Sequence, residues 1–74
     1  MAVTTKDIMR IFKELGVEGP LDPDVALLDQ GVDSIDLPRA AAAIEKKYKI
    51  DLSDAKCEQL KTITLFAKFV SSKL

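Results

Sequence analysis

Apolar residues recur at helical spacing in the first part of the chain. Positions i, i+3, i+4 and i+7 of one face are taken by Ile8, Ile11, Phe12 and Leu15. This period predicts a helix over about 5–15. Thr4 or Thr5 is placed to cap its first turn, and Gly16 to end it.

Two more segments show the same period. The second helix is predicted over about 34–48, with an apolar face made of Leu37, Ala41, Ile44 and Tyr48. A last helix follows Thr62, which is its expected cap. Its apolar face is made of Ile63, Phe66, Phe69, Val70 and Leu74.

Pro38 limits where the second helix begins. A proline is tolerated in the first helical turn, because the N–H groups there lack intrahelical partners. The helix is therefore expected to start just before Pro38. Three residues are competent caps, and Asp36 suits Pro38 best. The candidates are Asp33, Ser34 and Asp36.

The connections between the helices differ in length. Residues 16–33 hold three glycines, two prolines and five acidic residues. They form a long loop, of a kind that is usually functional in a compact domain. A short helical turn is predicted around 25–28. The expected apolar anchors of this loop are Leu21, Val25, Leu27 and Leu28.

The second connection is predicted to contain a short helix over about 54–60, capped by Ser53 or Asp54, after the apolar anchors Ile50 and Leu52. No segment alternates polar and apolar residues between turns, so no strand is expected. The predicted fold is all-α. It is a small four-helix bundle in one domain, residues 1–74, with three main helices, a short third helix and a long first loop.

The amino-acid composition limits the classes of function that are expected of the protein. The chain has no histidine and one cysteine, Cys57, so it lacks the commonest general base and metal ligand, and neither a metal site nor an internal disulfide is expected. Cys57 is interpreted as a partly buried small apolar residue, and a reducing, cytoplasmic setting is expected. No apolar run is long enough for a membrane span, and the first ten residues lack the features of a signal peptide.

Charge is unevenly distributed along the chain. Residues 1–33 hold three basic and seven acidic residues, a net of −4, and residues 34–74 hold eight basic and five acidic, a net of +3. Neither part has the concentrated positive charge of a nucleic-acid binder, so no nucleic-acid partner is expected.

Ser34 lies where the acidic loop meets the second helix, and its surroundings permit two interpretations. Its hydroxyl can act as a helix N-cap, which contributes about 1 kcal/mol. It can also be presented for modification, because the positive end of a helix suits a bound phosphate group. The residues D-S-I alone do not separate these interpretations.

The stretch L-L-D-Q-G-V-D-S-I-D resembles the 4′-phosphopantetheine attachment segment of acyl and peptidyl carrier proteins. That family carries G-x-D-S-[LI] at the start of the second of four helices, and the predicted order of elements follows its fold over nearly the whole chain. The resemblance implies that Ser34 takes phosphopantetheine from coenzyme A. It further implies that Asp33 helps the modifying transferase to hold magnesium, that Gly31 is the turn glycine, and that Ile35 is an apolar contact for partners.

The resemblance also implies a carrier rather than an enzyme. Such a protein holds an acyl or aminoacyl group as a thioester on its phosphopantetheine and delivers it to partner enzymes, for example in fatty-acid or other lipid metabolism. The expected partners are a phosphopantetheinyl transferase and the enzymes that load and use the acyl group, and the carrier is expected to be a monomer. The alternative is a helical interaction module that resembles a carrier but is never modified.

The second helix departs from the usual family pattern. Fatty-acid-synthesis carriers usually show an acidic second helix, whereas residues 34–49 here hold four basic and two acidic residues, a net of +2. Like charges at an interface slow encounter. The protein is therefore predicted to be a dedicated carrier, for a specialised lipid or lipopolysaccharide, a polyketide, a peptide or D-alanine transfer. The alternative is that these lysines only form a solvated face. Expected partner contacts are Asp36, Arg39, Lys46 and Lys47.

Overall fold

Three α-helices surround one apolar core in the computed structural model, which describes residues 2–74. They are α1 (Thr5–Glu14), α2 (Asp36–Tyr48) and α3 (Ile63–Ser72), joined through two 3₁₀ helices, Leu27–Gln30 and Cys57–Leu60. No strand occurs among the described residues. The predicted all-α bundle is confirmed. Within residues 2–74, no helix combines the length and apolar content needed to cross a membrane.

The first helix begins at a capping box. The Thr4 hydroxyl accepts the N–H of Asp7 at 3.2 Å, and the Asp7 carboxylate accepts the N–H of Thr4 at 2.9 Å. Two N–H groups that α1 would otherwise leave without partners are thus satisfied. The predicted cap at Thr4 is confirmed, and Gly16 follows the helix end with a φ of +94°.

The core lies where α1 packs against α2 and α3. Phe12 and Phe66 are fully buried and meet edge to face, with ring centroids 6.0 Å apart. This geometry is favourable for aromatic pairs. Ile44 of α2 is fully buried as well. Leu74 was predicted to be a core residue but is 47% exposed, because α3 ends at Ser72.

The long first loop is fastened to the start of α3. Thr64 donates its N–H to the carbonyl of Pro23 at 3.0 Å. Its hydroxyl bonds to the carboxylate of Asp24, also at 3.0 Å. In addition, the N–H of Leu27 bonds to the carbonyl of Lys61 at 2.8 Å. These contacts hold the loop against the bundle without regular secondary structure.

The apolar anchors of this loop differ in part from the prediction. Leu27 is fully buried, as expected, and the short helical turn predicted around 25–28 is present as a 3₁₀ helix two residues later, at Leu27–Gln30. Leu28 and Val25 were predicted anchors but are 55% and 39% exposed. Val32 takes their place in the core. A 3₁₀ helix has three residues per turn, so adjacent leucines point to different sides and only one reaches the core.

The predicted short helix over 54–60 is smaller than expected. Only Cys57–Leu60 is helical, with 3₁₀ geometry. Ser53 and Asp54 form a turn instead, in which the carbonyl of Leu52 accepts the N–H of Ala55 at 3.0 Å and the carboxylate of Asp51 accepts the N–H of Ser53 at 2.8 Å. Neither Ser53 nor Asp54 caps a helix. Cys57 is exposed, so its predicted partial burial is wrong.

Candidate functional site

A tight turn at Gly31 brings Ser34 to the surface. The carbonyl of Leu27 accepts the N–H of Gly31, and also that of Val32 at 3.2 Å. Gly31 has a φ of +88°, a conformation that glycine adopts without the steric penalty of other residues. Val32 is then buried, and Asp33, Ser34 and Ile35 are exposed. The turn thus couples one core anchor to three surface residues.

Asp33 organises the residues between the turn and α2. Its carboxylate accepts the N–H of Ile35 at 3.3 Å, and its carbonyl accepts the N–H of Asp36 at 2.9 Å. In return, the carboxylate of Asp36 accepts the N–H of Asp33 at 3.2 Å. This reciprocal arrangement fixes the backbone on both sides of Ser34.

Ser34 does not cap α2. The helix begins at Asp36, its N-cap position is Ile35, and no side chain caps it. The interpretation of Ser34 as an N-cap is therefore wrong, as is the expectation that Asp36 is the N-cap. Asp36 is instead the first helical residue, which leaves Pro38 within the first turn, where a proline is tolerated.

The Ser34 hydroxyl is available for modification. It is exposed, and its only hydrogen bond among the described residues is donated to the Asp33 carboxylate at 3.5 Å. That distance is at the limit of hydrogen bonding, so the contact is weak. Ile35 beside it is 62% exposed. A phosphodiester on this oxygen would displace no buried group, so the residues present fit a covalently attached phosphopantetheine.

The four expected partner contacts do not form one group. Asp36 and Arg39 lie beside Ser34 and form an ion pair at 3.0 Å. Lys46 and Lys47 lie in the last turn of α2, about 10–16 Å further along a helix that rises 1.5 Å per residue. Lys47 is also near α1. The pKa of Asp7 is lowered mainly by its hydrogen bonds to Thr4, and the charges of Arg10 and Lys47 lower it further.

Other parts of the described chain offer weaker evidence for a functional site. Among residues 2–74, no group of three or more histidine, cysteine or carboxylate residues is arranged to hold a metal ion. A surface groove of about 1000 Å³ runs along α1 and the start of the loop. Its lining residues fall between Lys6 and Leu21, so it includes neither the Ser34 turn nor the alanines of α2.

Gln30 is a structural residue of the site that the sequence analysis did not identify. Its amide accepts the N–H of Asp22 at 2.7 Å and donates to the carbonyls of Asp22 and Val25 at 2.7 and 2.9 Å. It thereby closes the loop directly before Gly31. No local pattern marks a glutamine for this role, because both of its partners lie five or more residues away. The sequence did contain a signal for the burial of Val32, because it is an apolar residue enclosed by Gly31 and the acidic Asp33.

Comparisons with known proteins agree with this geometry. The family model described as "Phosphopantetheine attachment site" matches residues 6–70. A curated relative, the acyl carrier protein of Solidesulfovibrio magneticus, is 29% identical over 75 residues, covering 99% of this chain and 96% of the relative. No solved structure matches the chain. Because the family model spans nearly all of the helical bundle, the chain belongs to the phosphopantetheine-binding family of acyl carrier proteins, whose covalent prosthetic group is 4′-phosphopantetheine.

Proposed function

We propose that the protein is an acyl carrier and that Ser34 is the residue that bears its 4′-phosphopantetheine. The observation that carries this proposal is the exposed Ser34 hydroxyl, held at a fixed turn and without a strong hydrogen-bond partner. When bound, the group supplies a terminal thiol on a flexible arm, on which an acyl or aminoacyl chain is held as a thioester.

The attachment step uses the Ser34 oxygen as a nucleophile. A new bond forms between this oxygen and the phosphorus next to the pantetheine of coenzyme A. The pyrophosphate bond to that phosphorus breaks, adenosine 3′,5′-bisphosphate leaves, and the hydroxyl proton passes to the transferase or to solvent. Asp33 is the proposed contact to the magnesium of the transferase, since its carboxylate is exposed beside Ser34. Gly31 provides the turn, and Ile35 provides an apolar contact.

The protein is proposed to deliver its cargo rather than to transform it. The chain has no histidine, and its single cysteine lies in the second 3₁₀ helix, outside the Ser34 turn. The chemistry is therefore assigned to the loading and acyl-using enzymes. The carrier is proposed to be a cytoplasmic monomer. It is also proposed to serve a dedicated pathway, because residues 34–49 carry a net positive charge, whereas the second helix of general fatty-acid carriers is usually acidic.

Intact-mass spectrometry tests the assignment of Ser34. The protein is incubated with coenzyme A, magnesium and a broad-specificity phosphopantetheinyl transferase. One added phosphopantetheine is expected on the native chain and on Ser53→Ala, which removes another exposed serine. None is expected on Ser34→Ala. No addition to a native chain shown to be folded would contradict the carrier role and favour an unmodified helical interaction module.

A further inference from the structure

The outer face of α1 carries three cations that form no ion pair. Lys6, Arg10 and Lys13 are spaced at i, i+4 and i+7, which places them on one helix face, turned away from the buried Ile11. All three are exposed, and within residues 2–74 none of them lies within ion-pair distance of a carboxylate. The nearby Asp7 is held in the capping box of the helix. Three positive charges are therefore available to a partner.

These cations line the surface groove that runs along α1 and the start of the first loop. We call it the α1 groove; its lining falls within residues 6–21, and its volume is about 1000 Å³. The lining adds the half-buried apolar side chains of Met9, Val17 and Leu21. Its one acid is Glu18, so the net charge of the lining is +2. A concave surface that combines apolar area with unpaired charge is suited to binding a ligand of opposite charge.

The loop side of the α1 groove is fixed at both ends. Directly after α1, the N–H of Val17 bonds to the carbonyl of Phe12 at 3.1 Å, and Gly16 has a φ of +94°, so the chain turns back on the helix. At the far end, the Gln30 amide holds both the N–H and the carbonyl of Asp22 at 2.7 Å. The groove is therefore formed in the free protein, which lowers the entropic cost of binding.

Charge and shape together indicate the chemistry of the occupant. The three cations span about 10 Å along α1, at 1.5 Å per residue. Carboxylates at the same i, i+4 and i+7 spacing on a partner helix would face them over the same length. The apolar side chains of the groove are half-buried instead of projecting, so they can receive an apolar side chain but are poorly placed to insert into a lipid surface.

We propose that the α1 groove is a docking site for an acidic amphipathic helix of a partner protein. The helix presents its carboxylates to the three cations and its apolar side chains to Met9 and Val17. The lining of the groove does not include Ser34, so a partner held there leaves Ser34 accessible to a second protein. This inference goes beyond the proposed carrier function and does not depend on it.

Fluorescence anisotropy with a synthetic peptide tests the proposal. The probe is a rhodamine-labelled, alanine-rich helical peptide with glutamates at i, i+4 and i+7 and two leucines between them. We expect saturable binding to the unmodified protein that weakens about tenfold between about 0.05 and 0.5 M NaCl, because salt screens exposed charges. A peptide with glutamines in place of the leucines should bind about tenfold more weakly, because it offers no apolar side chain to the groove.

Matched variants locate the binding. Arg10→Gln with Lys13→Gln should weaken peptide binding about tenfold. Lys46→Gln with Lys68→Gln removes the same charge from exposed positions of α2 and α3, and it should change the affinity by less than about twofold. Lys6→Gln with Lys13→Gln serves as a second groove variant if circular dichroism shows that the first is unfolded. Equal losses in the groove and control variants would mean that the attraction is non-specific, and would overturn the proposal.

Other occupants of the groove give different results. Binding to vesicles of phosphatidylglycerol and phosphatidylcholine, without binding to the peptide, would assign the groove to a membrane surface. Self-association in sedimentation velocity that the groove variant abolishes would assign it to a second copy of the chain. Either result overturns the proposal.

The carrier function and the docking site are tested separately. Ser34→Ala should bind the peptide as the native protein does, so a failure of the carrier function leaves the docking site standing. A saturating concentration of the peptide should leave the rate of phosphopantetheine addition to Ser34 unchanged. If the peptide blocks this addition, the proposed separation of the groove from Ser34 is overturned, and if the peptide does not bind, the docking site alone is overturned.

Discussion

Gln30 offers a direct test of how the loop positions the Ser34 turn. Its side-chain amide makes three hydrogen bonds, two to the backbone of Asp22 and one to that of Val25. It lies immediately before Gly31, whose turn leads to Ser34. Replacing Gln30 with alanine removes all three bonds and leaves the neighbouring turn residues unchanged.

The expected loss of stability follows from the exposure of these bonds. A typical hydrogen bond contributes about 0.5–1.5 kcal/mol net. The Gln30 side chain is half-buried and Asp22 is exposed, so water can replace part of each lost bond. We therefore use the lower value for each bond and expect Gln30→Ala to cost about 1.5 kcal/mol. A protein of this size is stable by only about 4–11 kcal/mol, so the change is substantial.

The assay is urea denaturation followed by far-ultraviolet circular dichroism, combined with a thermal scan. The midpoint temperature should fall by roughly 6–12 °C, since 1 kcal/mol shifts it by about 4–8 °C in a domain this small. Gln59→Ala is the matched control, because Gln59 accepts a single bond from the N–H of Lys56. It should cost only about 0.5 kcal/mol.

Gln30→Glu separates the bonding pattern from the size of the side chain. A glutamate keeps an acceptor for the Asp22 N–H but offers no donor to the carbonyls of Asp22 and Val25 at neutral pH. We expect it to be less stable than Gln30→Ala, because two carbonyl oxygens would face a carboxylate. If Gln30→Ala is as stable as the native protein, or if Gln30→Glu is the more stable variant, this account of the loop is refuted.

Three further predictions concern the helices. Phe66→Ala should cost about 3–5 kcal/mol in urea unfolding, since the cavity would face Phe12, and a loss below 1 kcal/mol would contradict the described core. The hydrogen bonds from Thr4 lower the pKa of Asp7 below 3.8, so its stabilisation is present above that pH and is lost as pH falls through the lowered pKa. Asp7→Asn should therefore flatten the acid limb of stability against pH, whereas an unchanged limb would exclude this role. Pro38→Val should leave the start of α2 at Asp36 by NMR chemical shifts, because a first-turn N–H needs no helical partner.

Local features of the fold were predictable from the sequence because their causes lie within a few residues. The cap at Thr4 depends on Asp7 three residues later, and Thr62 likewise accepts the N–H of Leu65 at 3.1 Å. The apolar period of α1 identified three fully or nearly fully buried residues, Ile8, Ile11 and Phe12. Hydrophobic periodicity reports which face of a helix is buried, and it needs no tertiary information to do so.

The loop was less predictable because its burial is decided by distant partners. Four apolar residues were plausible anchors, and the structure buries only Leu27 completely. The choice depends on where the chain is tied to α3, through the carbonyls of Pro23 and Lys61. The sequence pattern contains no information on these contacts, which span more than thirty residues.

The exposed charge of α2, next to the candidate site, is likewise decided by contacts that the sequence pattern does not contain. Counting residues gives a net of +2 over 34–49, but the count does not say which charges a partner would meet. The N–H of Leu52, beyond the end of the helix, draws the Glu45 carboxylate inward, and Asp36 is held by the Asp33 turn. The Asp36 carboxylate also pairs with Arg39 at 3.0 Å, so the exposed basic residues outside that ion pair are Lys46, Lys47 and Lys49. The exposed charge beside Ser34 therefore depends on the fold as well as on the number of charged residues.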